Sequence, residues 1–229
     1  MKYMIHSCNT RQWYVDDFLV PSMLKQGIKE DDIYVYQDTV CEGNLVSWVK
    51  SCHLAYQMWG ETNVWHLQDD VVLCSDFKKR TEELEENTLR VICAFTCKYD
   101  DGRGPGEGPT KNHMWYSFPC IRLHSALTKE FACWVDAYVW RDNQFNFWVK
   151  HKKGDDFIFR IFIEDYYPHE HILNLVPNLV DHIDFLLGGT VVNPQRQMQG
   201  ADVRSVYWEE PNIVNELMEE IVKYDSNNR

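Results

Sequence analysis

The stretch Asn63-Val-Trp-His-Leu-Gln-Asp-Asp-Val-Val72 places an apolar run directly before two adjacent carboxylates. The run Asn63–Leu67 is rich in β-branched and aromatic residues, which predicts a strand. Asp69 and Asp70 then stand just beyond its carboxyl end, the place where open parallel α/β sheets bind ligands. Carboxylate oxygens are the ligands that Mg²⁺ and Mn²⁺ prefer. The pair is therefore a candidate metal site, with a plain turn or helix cap as the structural alternative.

The residues before this stretch alternate between strand and helix patterns. Gly27 and Gly60 follow the two helical patterns, where glycine commonly ends a helix, and Pro21 should kink the first helix or mark its restart. Strand–helix–strand–helix–strand predicts an α/β fold with a parallel sheet and crossover helices. The predicted elements are strands at Tyr3–Ser7 and Ile33–Gln37 and helices at Val15–Gln26 and Leu45–Trp59.

The second half of the chain is less regular. Asp100–Lys111 holds four glycines and two prolines, which excludes regular structure and predicts a loop or lid. The other predictions are a helical stretch at Glu82–Asn87, strands at Arg90–Thr96 and Tyr116–Leu123, and helices at Ser125–Trp134, 155–167 and Pro211–Tyr224.

Composition limits the class of protein. The 229 residues are 45% hydrophobic and 25% charged, as in ordinary globular proteins, and the net charge is −12. An acidic chain is a poor general binder of nucleic acid, because the phosphate backbone favours basic surfaces. The sequence shows neither an apolar run near the roughly 20 residues of a membrane span nor a secretory signal. We therefore expect a cytoplasmic protein with no membrane partner.

The cysteines and one histidine pair are weaker candidate sites. Eight cysteines in a long chain without a signal favour reduced, mostly buried thiols over disulfides. Cys93 and Cys97 lack the second pair that a zinc knuckle needs. His169-Glu170-His171 could hold a metal, but it follows Tyr-Tyr-Pro in a turn-like setting.

A second acidic pair lies at the start of a predicted helix, in Lys150-His-Lys-Lys-Gly-Asp-Asp156. A helix N-terminus stabilises an ionised carboxylate, so Asp155 or Asp156 could act as a general base. Simple N-capping explains the pair equally well. Lys150, Lys152 and Lys153 form a basic cluster that could hold phosphates or remain a solvated loop.

The ordered set of elements resembles the GT-A class of nucleotide-sugar glycosyltransferases over roughly residues 1–190. The resemblance lies in the first strand ending near Thr10-Arg11, the helix Phe18–Ile28, a second strand ending near Asp38, and the acidic strand end Gln68-Asp69-Asp70, which is like the Asp-x-Asp element. The resemblance continues with the later acidic pair. The segment Pro177–His182 looks like the Leu-Val-x-His segment of some small bacterial and phage-encoded members of this class.

The resemblance implies a role for each of these residues. Thr10, Arg11, Asp38, Gln68 and Asp69 would bind a UDP-sugar donor, and Asp70, Asp69 and His182 would hold Mn²⁺ or Mg²⁺. Asp156 or Asp155 would deprotonate the acceptor in an inverting displacement, whereas a retaining enzyme would need neither. Gln68 replaces the first carboxylate of the element, which leaves strict metal dependence open.

The acceptor and some alternatives stay open at this point. Trp115, Tyr116 and the three lysines could contact an acceptor, and a hydroxymethylated base in phage DNA fits their chemistry. A nucleotidyltransferase or a non-catalytic nucleotide- or sugar-binding module are the alternative functions. Residues 1–190 would form the catalytic domain, and 191–229 an extension whose terminal helix packs on it. The oligomeric state is not predicted.

Overall fold

The computed structural model describes residues 1–40, 42–96, 106–109, 119–139, 155–184, 186–187, 205 and 207–228. A seven-stranded sheet forms the centre, with helices on both faces. The α/β class with a mostly parallel sheet is confirmed. Val20–Lys25 closes the first helix, and Gly27 follows with a φ of 84°, as predicted for a helix-ending glycine.

The first half of the chain follows the predicted order. Pro21 is accommodated within helix α1, because its π-type turns precede the proline and the α conformation resumes at Val20. The elements are β1 (Lys2–Cys8), α1 (Gln12–Tyr14, the π-type turns Val15–Leu19, and Val20–Lys25), a 3₁₀ turn (Glu30–Asp32), β2 (Ile33–Asp38), α2 (Asn44–Trp59), β3 (Asn63–Gln68) and β4 (Val71–Leu73).

The second half completes the sheet and its outer helices. Its elements are α3 (Phe77–Glu83), β5 (Val91–Cys93), β6 (Gly106–Pro109), β7 (Cys120–His124), α4 (Ser125–Trp134, continued by π-type turns Val135–Val139), α5 (Asp155–Tyr166), β8 (His171–Asn174), β9 (Val180–His182) and α6 (Pro211–Asn228).

The strand order of the large sheet is β2-β1-β3-β7-β5-β8-β6. Strands β1, β2 and β3 are parallel, and β5 is parallel to β8. Strand β7 lies between β3 and β5 and runs antiparallel to both, so the sheet is mostly rather than entirely parallel. Its short apolar pattern predicts a strand but not a direction.

Two apolar layers cover the sheet. On one face Ile5, Trp65 and Leu67 pack with α1, α3 and the terminal helix. On the other face Trp48 of α2, Phe131 of α4 and Phe159 of α5 form a second cluster, in which Phe159 makes edge-on contacts with both of the other rings. Strand residues alternate between these layers, as the period of two requires.

Three predicted elements in the middle of the chain are wrong in extent or kind. The helix lies at Phe77–Glu83 rather than 82–87, because Phe77 and Thr81 anchor it in the core. Strand β5 is shorter than Arg90–Thr96. Gly106–Pro109, within the predicted loop, is a strand paired with β8. It forms the last strand of the sheet, where proline is tolerated because one side needs no ladder bonds.

Helix α6 lies against the same apolar layer as β1 and α1. Val214, Leu217 and Ile221 are buried in that cluster. The ring of Tyr224 stacks on Trp13 with centroids 5.3 Å apart, and its hydroxyl donates to Asp17 at 2.8 Å. These contacts attach the terminal helix to the apolar layer that also contains β1 and α1.

Candidate active site

The ends of three parallel strands form the floor of the site. The register pairs Cys8 with Asp38 and His6 with Gln68, so β1, β2 and β3 end at one edge of the sheet. Asp69 and Asp70 follow β3 immediately, and the backbone N–H of Cys8 donates to Asp69 Oδ2 at 3.0 Å. The two carboxylates are buried at this edge, with 6% and 3% exposure.

Arg11, which follows β1, joins the two carboxylates. Its Nη1 donates to Asp69 Oδ1 at 2.9 Å and also to Asp70 Oδ2. Arg11 is itself buried, with 6% exposure. The resemblance places Arg11 near the nucleotide, whereas the structure places its guanidinium on the acidic pair.

The small sheet β4–β9 brings His182 to the same place. Its register pairs Val71 with His182, and the N–H of Ile183 donates to the carbonyl of Asp70 at 2.8 Å. As a result His182 Nε2 lies 3.2 Å from Asp70 Oδ2. Asp70 and His182 are thus in direct contact although they are far apart in the chain.

Asp184 stands behind His182 and was not predicted as a site residue. Its Oδ1 lies 3.5 Å from His182 Nδ1. Asp184 is completely buried, and neither of its carboxylate oxygens has a hydrogen-bond partner among the described residues. A carboxylate on the far nitrogen of a histidine is the usual device that orients a metal-ligating ring. The His-x-Asp spacing of 182–184 is the sequence signal for it.

Charges within the site shift the pKa values of its groups in opposite directions. Burial raises the pKa of Asp70, but the positive charges of His182 and Arg11 outweigh it and hold that pKa well below its usual range. Burial, together with the neighbouring Asp70 charge, raises the pKa of Asp69. Burial lowers the pKa of His182, but the Asp70 carboxylate overcomes it and the net shift is upward. The site thus stabilises an ionised Asp70.

Asp155 lies at the start of α5 and is the more buried member of the second acidic pair. Burial raises its pKa to about 6, hydrogen bonds from backbone N–H groups oppose the rise, and the Asp70 charge adds to it. Asp156 is half-buried and accepts the N–H of Phe157 at 2.7 Å. The structure therefore turns Asp155 inward, within electrostatic reach of Asp70.

The other predicted donor-binding residues lie along the same edge. Asp38 is buried and accepts the N–H groups of Val40 and Glu42 at 3.3 and 3.1 Å. Thr10 is exposed, with its hydroxyl 3.1 Å from Cys8 Sγ. The backbone N–H of Gln68 donates to the carbonyl of Pro119 at 2.8 Å. Trp115, Tyr116, Lys150, Lys152 and Lys153 lie outside the described residues, as does most of the predicted lid.

Two other groups of metal-ligating side chains have partners of their own. His171 contacts Glu107 at 2.7 Å and Glu170 pairs with Arg90, and within the described part of the chain the 169–171 segment forms no cluster of three metal-ligating groups. Ligand atoms of Cys74, Asp76 and Glu210 lie within 4.8 Å of one another. There the Ser75 N–H donates to both oxygens of Glu210, and this cluster is separate from the sheet edge that holds Asp70.

Superposition on a solved structure identifies the fold. S. aureus TarS superposes with a TM-score of 0.50 at 16% identity, over 79% of this chain and 36% of TarS. This chain has a GT-A-like glycosyltransferase fold. A glycosyltransferase involved in glycosylation of the major capsid of PBCV-1 has a TM-score of 0.43 at 10% identity, over 96% of this chain and all of that one. The 1–349 portion of TarS, of which this chain spans 56%, has been solved with UDP-GlcNAc (TM-score 0.46, 16% identity, 76% of this chain).

Sequence comparison adds no closer relationship. No protein-family model matches the GT-A-like chain, and no curated protein matches it. Among the described residues, no helix has both the length and the apolar character needed to cross a membrane.

Proposed function

We propose that this chain is a metal-assisted glycosyltransferase that moves a sugar from a UDP-sugar to a hydroxyl acceptor. The observation that carries the proposal is the contact of Asp70 with His182 at the carboxyl edge of a GT-A-like sheet, with the buried Asp155 close by. The UDP-GlcNAc complex of TarS supports the choice of donor.

Asp70 and His182 offer two ligand groups that suit a divalent ion. Asp70 Oδ1 is buried and has no hydrogen-bond partner among the residues described. His182 Nε2 lies 3.2 Å from Asp70 Oδ2, and neighbouring ligand atoms around a small divalent ion are about 3 Å apart. Asp70 and His182 would hold the ion, with Asp69 beside them. Mn²⁺ or Mg²⁺ would supply positive charge opposite the departing diphosphate.

Asp155 is the proposed base. It takes the proton of the acceptor hydroxyl while the acceptor oxygen forms a bond to the anomeric carbon. The bond from that carbon to the diphosphate oxygen breaks, and UDP leaves with the electron pair. This displacement inverts the anomeric centre. With a pKa of about 6, Asp155 is ionised at neutral pH and is a stronger base than an ordinary carboxylate.

The residues proposed to contact the acceptor are three lysines and two aromatic side chains. Lys150, Lys152 and Lys153 directly precede Asp155 in the sequence, which suits a phosphate-bearing acceptor such as DNA with a hydroxymethylated base. Trp115 and Tyr116 are the residues proposed to stack on it. The net charge of −12 is unfavourable for extended contact with DNA.

A screen of UDP-sugars for slow hydrolysis, with and without Mn²⁺, tests this function without an acceptor. We expect Mn²⁺-dependent release of UDP, with at least about a hundredfold loss in Asp70→Asn, because charge stabilisation of this kind contributes factors of that size. Thermal melting with UDP and Mn²⁺ reports binding separately from turnover. Adding hydroxymethylated DNA to the same assay tests that acceptor.

The outcomes of this screen distinguish the functions. Full activity of Asp70→Asn would contradict the metal assignment. Release of pyrophosphate from a nucleoside triphosphate and a sugar phosphate would instead indicate a nucleotidyltransferase. Binding of UDP with no turnover of any sugar nucleotide would indicate a binding module.

A further inference from the structure

Arg11 occupies the position where the two strand-end carboxylates converge. A single nitrogen, Nη1, contacts Asp69 Oδ1 at 2.9 Å and also Asp70 Oδ2. Arg11, Asp69 and Asp70 are all at least nine-tenths buried. In this low-dielectric setting the guanidinium neutralises part of the charge of the acidic pair without any metal.

The oxygen that Arg11 holds is the one that faces His182. Asp70 Oδ2 receives Arg11 on one side and lies 3.2 Å from His182 Nε2 on the other. An ion ligated by Asp70 and His182 would therefore lie close to the guanidinium. Two cations that share one buried carboxylate repel each other strongly, because little solvent screens them.

We propose that Arg11 is a built-in competitor of the divalent ion, which keeps metal affinity low until the donor diphosphate arrives. The inference rests on the proposed function. The diphosphate adds negative charge at the sheet edge, to which Arg11 can turn as the ion takes Asp70. Metal and donor then bind cooperatively, each strengthening the binding of the other by the same factor.

Direct measurement of Mn²⁺ binding to the full chain, by the EPR signal of free Mn²⁺ and by calorimetry, tests the competition. We expect Arg11→Gln to bind Mn²⁺ at least about tenfold more tightly than the parent chain in the absence of nucleotide, since a buried positive charge is removed. UDP should enhance Mn²⁺ affinity strongly in the parent chain and much less in Arg11→Gln.

Two further variants control for folding and charge. Arg11→Lys keeps a positive charge, so its Mn²⁺ affinity should stay near that of the parent. Arg90→Gln removes a guanidinium from a carboxylate pair with Glu170, far from the site in sequence and sheet position, and should leave Mn²⁺ affinity unchanged. The rise in melting temperature with Mn²⁺ should be larger for Arg11→Gln, which also shows that the variant is folded.

Each result decides between specific possibilities. If Arg11→Gln binds Mn²⁺ equally or more weakly while the parent chain binds Mn²⁺ and UDP, Arg11 is a structural brace and this inference is wrong. If the parent chain binds neither Mn²⁺ nor UDP under any condition, the proposed function itself fails.

Discussion

Asp155 combines a buried position with the negative charge that the proposed base needs. Its pKa is raised from 3.8 to about 6, first by burial and then by the charge of Asp70. Because the folded protein holds this proton more tightly than the unfolded chain, stability falls as the pH rises from about 4 to 6 and stays lowered above that range. A shift of two pKa units corresponds to about 3 kcal/mol.

Asp155→Asn should therefore make the protein more stable and less active. At pH 8 we expect the free energy of unfolding to rise by up to about 3 kcal/mol, since the amide need not ionise. Below pH 4 the two proteins should be equally stable. Parent kcat should increase with pH up to about 6 and then level off, as expected for a base that must be ionised. Urea unfolding and pH–rate profiles measure the two effects.

Asp156→Asn is the matched comparison, since it changes the neighbouring, half-buried carboxylate. We expect it to lose much less activity than Asp155→Asn and to gain no stability at pH 8. A larger loss of activity in Asp156→Asn would assign the base to the other member of the pair.

At the scale of the element, Arg122 holds the middle of β7 to the turn that follows α3. It is completely buried and donates to the carbonyls of Leu84, Asn87 and Leu89, at 2.9 Å for Asn87 and 2.5 Å for Leu89. Burial lowers the pKa of Arg122 to about 10. The guanidinium thus donates to three backbone carbonyls that would otherwise lack this hydrogen-bond donor.

Arg122→Met should destabilise the protein by about 3 kcal/mol or more, because it removes the donor and leaves buried carbonyls without partners. The stability of Arg122→Lys should lie between that of the parent protein and that of Arg122→Met, since one ammonium group cannot reach all three carbonyls in the same geometry. Urea unfolding of the three proteins gives the values. A loss below about 1 kcal/mol for Arg122→Met would mean that water replaces the donor.

Local sequence pattern accounts for much of the element order and for part of the site. Alternating apolar residues and strand-end polar groups predict β1, β2, β3 and the sheet edge along which Asp38, Asp69 and Asp70 lie. The antiparallel direction of β7 depends on its neighbours in space, which no local pattern encodes. Likewise the contact of Arg11 with Asp69 joins distant segments of the chain. Asp184 has only the short His-x-Asp spacing as a sequence signal, and its place in the site shows in two buried oxygens that have no hydrogen-bond partner among the described residues.

At the scale of the whole molecule, the terminal helix and the sheet share one apolar layer. Leu217 is 8% exposed and belongs to the cluster that contains Ile5 and Leu67. If residues 1–190 and the extension form one cooperative unit, a cavity in α6 should lower the stability of the entire fold.

Leu217→Ala should lower the free energy of unfolding by about 2–3 kcal/mol, the usual cost of such a cavity. Val222→Ala, on the same helix but 65% exposed, should change it by less than about 0.5 kcal/mol. Far-UV circular dichroism and tryptophan fluorescence should report one coincident transition. Two separate transitions, with only the first affected by Leu217→Ala, would show an independently folding extension.

The central place of β7 also has a consequence for synthesis. On the ribosome, β1, β2 and β3 are complete long before residues 120–124 emerge, yet β7 must lie between β3 and β5. Until then β3 presents the unpaired backbone groups of an apolar strand, which can pair with a neighbouring nascent chain. Slow translation of residues 69–119 would lengthen this exposure, so aggregation during expression should depend on translation speed in this interval more than on the stability of the finished fold.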